Sequence, residues 1–425
     1  MSWRGGRVWS RGWRAGLALC WLAAASARAG ADPTTAQYSS GVLPDGALWR
    51  IAVPASWNGT LLLYSHGYAP QVQEPALAPR GLETWLLQHG YALAASSYAR
   101  AGWAVAEAVP DQQGTLKQFT ARVGIPQRTI AWGESMGGLI TVALAETPAS
   151  GLDGALSACG SVAGTLAMMN MALDGAFAFR ILIGSEPNRV QQAMTSAPGR
   201  ARLALAAALG GLPPWSQPET RRPPPSDLQG QLAQVASTFA AGVFLPREDQ
   251  EQRAGGAFSG NSGVDYRALL QRSGLQPLVE AYYRSSGLSL ARDLEVLNAA
   301  PRIEAEPQAV GYMRAHYDPS GVLQVPLLSY HTIGDGLTSA VLEGAYARTV
   351  HQAGHERSLR TAWVAAAGHC TFSPAEHLSM LRTLELRLKS GHWRTSPAQL
   401  NAISMSPNLG PQRFIRYIPY PLPRN

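Results

Sequence analysis

The sequence predicts an α/β fold, a mostly parallel, doubly wound sheet interrupted by one large helical insertion. Three observations lead there. Apolar runs that stop at glycine or polar residues alternate with amphipathic helical segments as far as Cys159; from Thr165 to Gln324 only helical spacing is found; and the alternation resumes at Pro326. With 425 residues, 46% hydrophobic and 15% charged, the chain can fill such a core and lacks a disordered chain's composition.

The N-terminus reads as an address. Residues 1–14 carry four arginines, residues 15–25 run AGLALCWLAAA, and small-residue cleavage options end at Ala27, Ala29 and Ala31, the layout of a signal peptide over residues 1–29. The apolar segment falls short of the ~20 residues that span a bilayer, so the expectation is a secreted or periplasmic protein with no stable membrane insertion. The five arginines before residue 30 also supply most of the formal net charge of +7; without them 30 basic residues face 28 acidic ones. No electrostatic footprint for nucleic acid remains.

The first part of the core is placed at 30–164. A strand-like segment at 47–54 precedes Leu61, Leu62, Leu63 and Tyr64, which run into Ser65, His66 and Gly67 as a buried strand does. Helix is expected over 81–89 and 104–123, strand over 91–97 and 129–133, then helix over 136–146 and strand over 154–159. The insertion, 165–324, is expected to be a helical cap or lid. Leu166, Met169, Leu173, Phe177 and Ile181 fall at helical spacing, and the prolines between residues 212 and 225 suit only an extended surface linker. Glu248, Asp249 and Glu251, flanked by Arg247 and Arg253, read as a solvated surface segment. The second part of the core, 325–391, supplies strands at 326–333 and 360–366 and helices at 339–353 and 374–390. Residues 392–425 read as an irregular surface tail.

The strand at 129–132 runs into Gly133-Glu134-Ser135-Met136-Gly137 and then a helix. This is G-x-S-x-G in the strand-to-helix context where a sharp turn lifts a serine hydroxyl above the sheet. A hydroxyl is a weak nucleophile, so a base must take its proton and a carboxylate must orient the base. Strand 326–333 ends in Gly334-Asp335-Gly336, and strand 360–366 ends in Gly368-His369-Cys370, giving the order Ser135, Asp335, His369. Of the aspartates weighed, Asp335 is the one that follows a sheet strand. Ser373-Pro374-Ala375-Glu376 then reads as a capping box that ends the histidine loop. His66 and Gly67 suit a loop whose next residue, Tyr68, offers a backbone N–H that pairs with that of Met136 to hold an oxyanion.

These motifs resemble those of the α/β-hydrolase superfamily over residues 47–164 and 325–391, with the insertion where that superfamily carries its cap. The resemblance implies a cofactor-independent serine hydrolase acting on a small-molecule or polymeric substrate. Cleavage of carboxylic esters through an acyl-enzyme is the leading reading; a serine peptidase or aminopeptidase of the same fold is the alternative. His369-Cys370 is also similar to the histidine-cysteine pair of tannases and feruloyl esterases, where a disulfide joins the neighbours of serine and histidine; here Glu134 stands beside Ser135 in place of the second cysteine. Cys159 ends one strand and Cys370 adjoins the base, both at the carboxyl edge of the sheet, so a disulfide between them is expected in an oxidising compartment, with two buried thiols as the other reading.

No cofactor or metal motif competes. Lys117 and Lys389 are the only lysines, and neither lies in a phosphate loop or three residues after a serine; no H-E-x-x-H occurs, and the glycines at 334–339 miss the dinucleotide fingerprint.

Overall fold

The computed structural model describes residues 36–425 apart from 246, 317, 423 and 425, so the expected signal segment lies outside the described residues. Nine strands form one sheet in the order β1-β2-β4-β3-β5-β6-β7-β8-β9. β1 (Ala36–Val42) and β2 (Leu48–Pro54) are antiparallel to what they join, whereas β3 (Thr60–Ser65), β4 (Ala92–Ser96), β5 (Arg128–Glu134), β6 (Gly154–Ala158), β7 (Leu327–Gly334) and β8 (Leu359–Ala367) pair in parallel. Strands β3, β4, β6 and β7 are buried along their whole length and β5 everywhere but its two end residues, Arg128 and Glu134, as continuous apolar runs covered on both faces must be. The covering helices are α1 (Glu83–Gln88), α2 (Val105–Arg122) and α3 (Met136–Glu146), and later α13 (Val341–Gln352) and α14 (Pro374–Ser390).

Between β6 and β7 the described residues form nine helices, from α4 (Thr165–Leu182) to α12 (Pro307–Ala315), and no strand. They bury a core of their own, in which Phe177 and Phe179 of α4 pack with Phe239 of α7 (Leu228–Val243), Tyr266, Tyr282 and Tyr283. The apolar helix α4 is long enough to cross a membrane, but 72% of it is buried against the rest of the protein. Its Met168, Met169 and Met171 pack with Phe258, Met313, Val341 and Leu342, joining the insertion to α13.

Two local expectations, for the polar run and for the tail, are corrected, and a third is refined. The polar run at 247–253 is solvated on one side only: it forms α8 (Glu248–Ala254), where Glu248 and Gln252 are exposed, but Arg253, whose side chain is 4% exposed, bonds Glu107 of α2 at 2.7 Å and Asp249 at 3.1 Å. Asp249 in turn accepts the Trp103 backbone N–H at 2.6 Å, so opposite charges dock the insertion on the core. The proline-rich segment lacks regular structure, as its missing N–H groups dictate. Part of it is nevertheless pinned, because Ser216 is buried and its hydroxyl bonds the Gln234 carbonyl at 2.9 Å.

The last residues are more ordered than an irregular tail. A short helix, α15 (Pro397–Asn401), and an edge strand, β9 (Phe414–Ile415), follow α14, and β9 pairs antiparallel with β8. Arg413 explains the docking: its guanidinium bonds both oxygens of the buried Glu376 at 2.9 Å and the Thr371 carbonyl at 3.0 Å. Arg424 reaches Asp174 of α4 at 3.1 Å and also bonds the Gly260 carbonyl.

The loop after β4 rests on another buried carboxyl. Asp111 of α2 accepts the Ala99 N–H at 2.8 Å; burial and a shared hydrogen bond with Asp45 push its carboxyl up to about 7. A carboxyl whose folded pKa is raised stabilises the fold fully below its unfolded value near 4, and that contribution is lost as pH rises towards about 7. Asp111→Asn keeps the acceptor and the proton without titrating. Its melting temperature relative to the parent is therefore expected to improve steadily from pH 4 to pH 7.5 and then level off, which a series of thermal melts would check.

Candidate active site

β5 ends at Glu134 and α3 begins at Met136, leaving Ser135 at the turn with φ 59°. Left-handed backbone is costly for a residue with a Cβ. It is held by the Ser135 N–H donating to the Ala158 carbonyl at 3.0 Å and by glycines that let the chain close on itself. A Cβ on Gly133 would lie 2.1 Å from the Gly137 carbonyl oxygen, and one on Gly137 would lie 2.0 Å from that of Ser65.

The loops after β7 and β8 meet this turn. His369 Nε2 is 2.8 Å from Ser135 Oγ, and its Nδ1 is 2.8 Å from Asp335 Oδ2. Asp335 is fully buried while His369 keeps a quarter of its side chain exposed, so the acid is sealed and the base faces outward. Burial pushes the Asp335 carboxyl up, but the charge and hydrogen bond of His369, the charge of His331 and the Leu337 N–H outweigh it and hold the group below its ordinary value. An ionised Asp335 fixes the proton on Nδ1 and leaves the Nε2 lone pair to accept from the serine hydroxyl.

Thr338 is a neighbour that sequence reasoning missed. Its N–H and that of Leu337 donate to Asp335 Oδ1 at 3.0 and 2.8 Å, while its hydroxyl lies 2.9 Å from the Cys159 carbonyl and 3.1 Å from Asp335 Oδ2. An Asp followed by backbone donors two and three residues on is a recognisable turn pattern, so Asp335-Gly-Leu-Thr338 carried the signal.

The loop after β3 passes close to the serine. A Cβ on Gly67 would stand 3.2 Å from the Ser135 Cβ, an approach that glycine permits. His66 stacks on Tyr98 with ring centres 4.2 Å apart, and the Tyr98 hydroxyl donates to the His66 carbonyl at 3.0 Å. Burial pushes His66 down, so the neutral ring donates once, and its shorter contact is the 2.7 Å one from Nδ1 to the Gly67 carbonyl. In a trans peptide N–H and C=O point in opposite directions, so this bond turns the Tyr68 N–H away from the His66 ring. Neither the Tyr68 N–H nor the Met136 N–H has a backbone or side-chain acceptor among the described residues.

Cys159, after β6, and Cys370, after His369, are joined in a disulfide with Cα atoms 5.4 Å apart. Both occupy left-handed backbone, at φ 44° and 55°, so the bond joins two strained loops beside the Ser135, His369 and Asp335 cluster. The tannase-like position beside the serine is filled by Glu134, which accepts the Tyr64 hydroxyl at 2.6 Å. The sulfurs and His369 are the group of metal-ligand type found among the described residues, and the sulfurs, bonded to each other, offer no thiolate. From the insertion, Trp215, Ser216 and Pro218 pack against Gly334, Gly336 and Gly368, the glycines around Asp335 and His369.

The strand order, the serine turn at the end of β5 and the loops after β7 and β8 define one architecture. The chain has an α/β-hydrolase fold. No protein-family model matches it. A protein named o-phthalyl amidase from Xanthobacter agilis is 28% identical over 429 residues, covering 88% of this chain and 93% of that relative. Among solved structures the chain is similar to an esterase of Pyrococcus furiosus, with 11% identity, a TM-score of 0.41 and coverage of 84% of this chain and 91% of the other. An esterase of Aspergillus oryzae is similar at 13% identity and a TM-score of 0.41, covering 84% and 80%.

The disulfide closes a separation of 211 residues and braces the histidine loop. Replacing both cysteines by serine is expected to remove about 2–5 kcal/mol of stability. Denaturant unfolding of the double variant beside the parent measures this.

Proposed function

We propose that the protein is a secreted serine hydrolase that cleaves carboxylic esters through an acyl-enzyme. The observation that carries the reading is the unbroken hydrogen-bonded series from Ser135 Oγ through His369 to the buried Asp335, each step 2.8 Å long. Ser135 attacks the acyl carbon, and its proton passes to His369 Nε2 as the bond forms. Asp335 accepts from Nδ1 and stabilises the imidazolium. The Tyr68 and Met136 N–H groups, the latter at a helix N-terminus, receive the oxyanion. Collapse of the tetrahedral intermediate sends the proton from His369 to the leaving alcohol, and water repeats the sequence in reverse roles to free the acid. Secretion is supported by the arginine-rich, apolar and small-residue segments in succession before residue 32 and by the cystine beside the base.

A second reading, hydrolysis of an amide of an aromatic acid, is favoured by the relative named o-phthalyl amidase. An aminopeptidase reading has less support. Recognition of a free ammonium needs unpaired carboxylates in the site, because an uncompensated charge there is costly. The carboxylates of Glu107 and Asp249, where the insertion meets the core, are both held by Arg253.

A panel of p-nitrophenyl esters, o-carboxybenzanilides and aminoacyl p-nitroanilides decides among these. The expected order of kcat/KM places esters first and aminoacyl anilides last; preference for the o-carboxybenzanilide over its matching ester replaces the ester reading by the amide one. Ser135→Ala is expected to lower turnover on the order of 10⁶-fold and to abolish fluorophosphonate labelling without change in the melting temperature.

A further inference from the structure

A second histidine stands behind the triad, unused by the mechanism above. His331, on β7, is fully buried. Its Nε2 lies 2.6 Å from the Thr338 carbonyl oxygen and 3.6 Å from Asp335 Oδ2, while its Nδ1 lies 3.4 Å from Oε1 of Glu343 on α13. Glu343 is itself 1% exposed, and both its oxygens are 2.8 Å from the Ser329 hydroxyl. The ring therefore sits between two buried carboxylates, one of them the acid of the triad.

Hydrogen-bond chemistry limits where protons reside. A carbonyl only accepts, so Nε2 must carry a hydrogen for Thr338. A neutral ring would then aim the bare lone pair of Nδ1 at a Glu343 oxygen, which is repulsive unless a proton lies between them. On Glu343 that proton would neutralise the glutamate and leave Asp335 without a countercharge on this side. On the ring it creates a cation facing both carboxylates at once, the better arrangement where charge is desolvated.

We propose that His331, held as an imidazolium between Asp335 and Glu343, is a positioning residue of the triad: its charge keeps Asp335 ionised and tempers the basicity of His369. The role rests on the serine hydrolase reading of Ser135, Asp335 and His369. Burial pushes His331 down, but the Glu343 hydrogen bond, the charges of Asp335 and Glu343 and the Thr338 carbonyl outweigh it and hold the ring above its ordinary value. Beyond this cluster, Tyr346 on α13 interacts electrostatically with Glu343 and donates its hydroxyl to Glu146 at 2.9 Å, and His369 bonds Asp335 from the other side. A positive charge behind Asp335 weakens the pull of that carboxylate on the His369 proton, so the base is free to accept from serine at lower pH.

Two measurements test this. The rate of fluorophosphonate labelling at Ser135 is followed against pH in the parent and in His331→Gln, whose amide still donates to Thr338. Loss of the buried cation is expected to move the acid limb of the profile upward by about one unit. A lower melting temperature with an unmoved limb would reduce His331 to a structural part and overturn the proposal. The second measurement needs no activity: in parent protein carrying ¹⁵N-labelled histidine, both His331 ring nitrogens are expected to show imidazolium shifts above pH 7, and in Glu343→Gln the ring is expected to lose its proton at lower pH. A parent ring that is singly protonated at pH 6 overturns the proposal. Absence of labelling in the parent overturns the hydrolase reading and the role that rests on it, while the ring titration still reports the charge of His331.

Discussion

Everything at this site depends on a backbone conformation that a side chain resists. Ser135 carries φ 59°, and the cost of that geometry is met by hydrogen bonding to β6 and by glycines whose missing Cβ atoms let α3 fold back against the ends of β3 and β5. The same turn leaves the Met136 N–H, next in the chain to Ser135 at the start of a helix, without an acceptor among the described residues. Since β5 lies in the middle of the sheet, the loops after β3, β6 and β7 and, one strand further, β8 can all reach it from one edge. Parallel pairing thus brings residues 66, 135, 159, 335 and 369 together although they are far apart in the chain.

The environment behind the serine is charged but closed. Asp335 is enclosed by backbone donors, Thr338 and two histidines, whereas His369 keeps an outward face. This asymmetry leaves one imidazole open to solvent while its partner carboxylate is shielded from water. The disulfide and the residues at 215–218 brace the same loops from two sides, so the histidine rests on covalent and packed supports together.

Much of this was legible in the sequence because parallel strands buried on both faces write themselves as unbroken apolar runs. The helix over 136–146 and the helix over 374–390 coincide with α3 and α14, whose starts are marked by the glycine turn and by the Ser373–Glu376 capping box. Ser135, Asp335 and His369 were found by position after strands, and the structure brings them together. β1 escaped because its alanine, glutamine, tyrosine and serines alternate with no apolar face; edge pairing with β2, not burial, makes it a strand. β9, two residues long, depends on Arg413 meeting Glu376 across the tail, and no local pattern announces such a partner. The run at 247–253 misled for a similar reason, since charge alone does not reveal that Arg253 is matched by Glu107 some 146 positions away.

The contact of Arg424 with Asp174 has a bearing on how the chain is made. The two residues are 250 positions apart, and the cystine closes a span of 211. During synthesis the helices of the insertion emerge long before either partner, with α4 lacking its terminal clamp and the loop at Cys159 its bond. Domains that can fold locally do so as they emerge, but long-range closures wait for the later segment. The turn at Ser135 is complete once β6 and α3 are present, whereas its histidine partner arrives with residue 369 and the tie to α4 with residue 424. Assembly of the site is therefore vectorial, and the nascent chain holds Ser135 without its hydrogen-bond partner His369 until most of the described sequence has been translated.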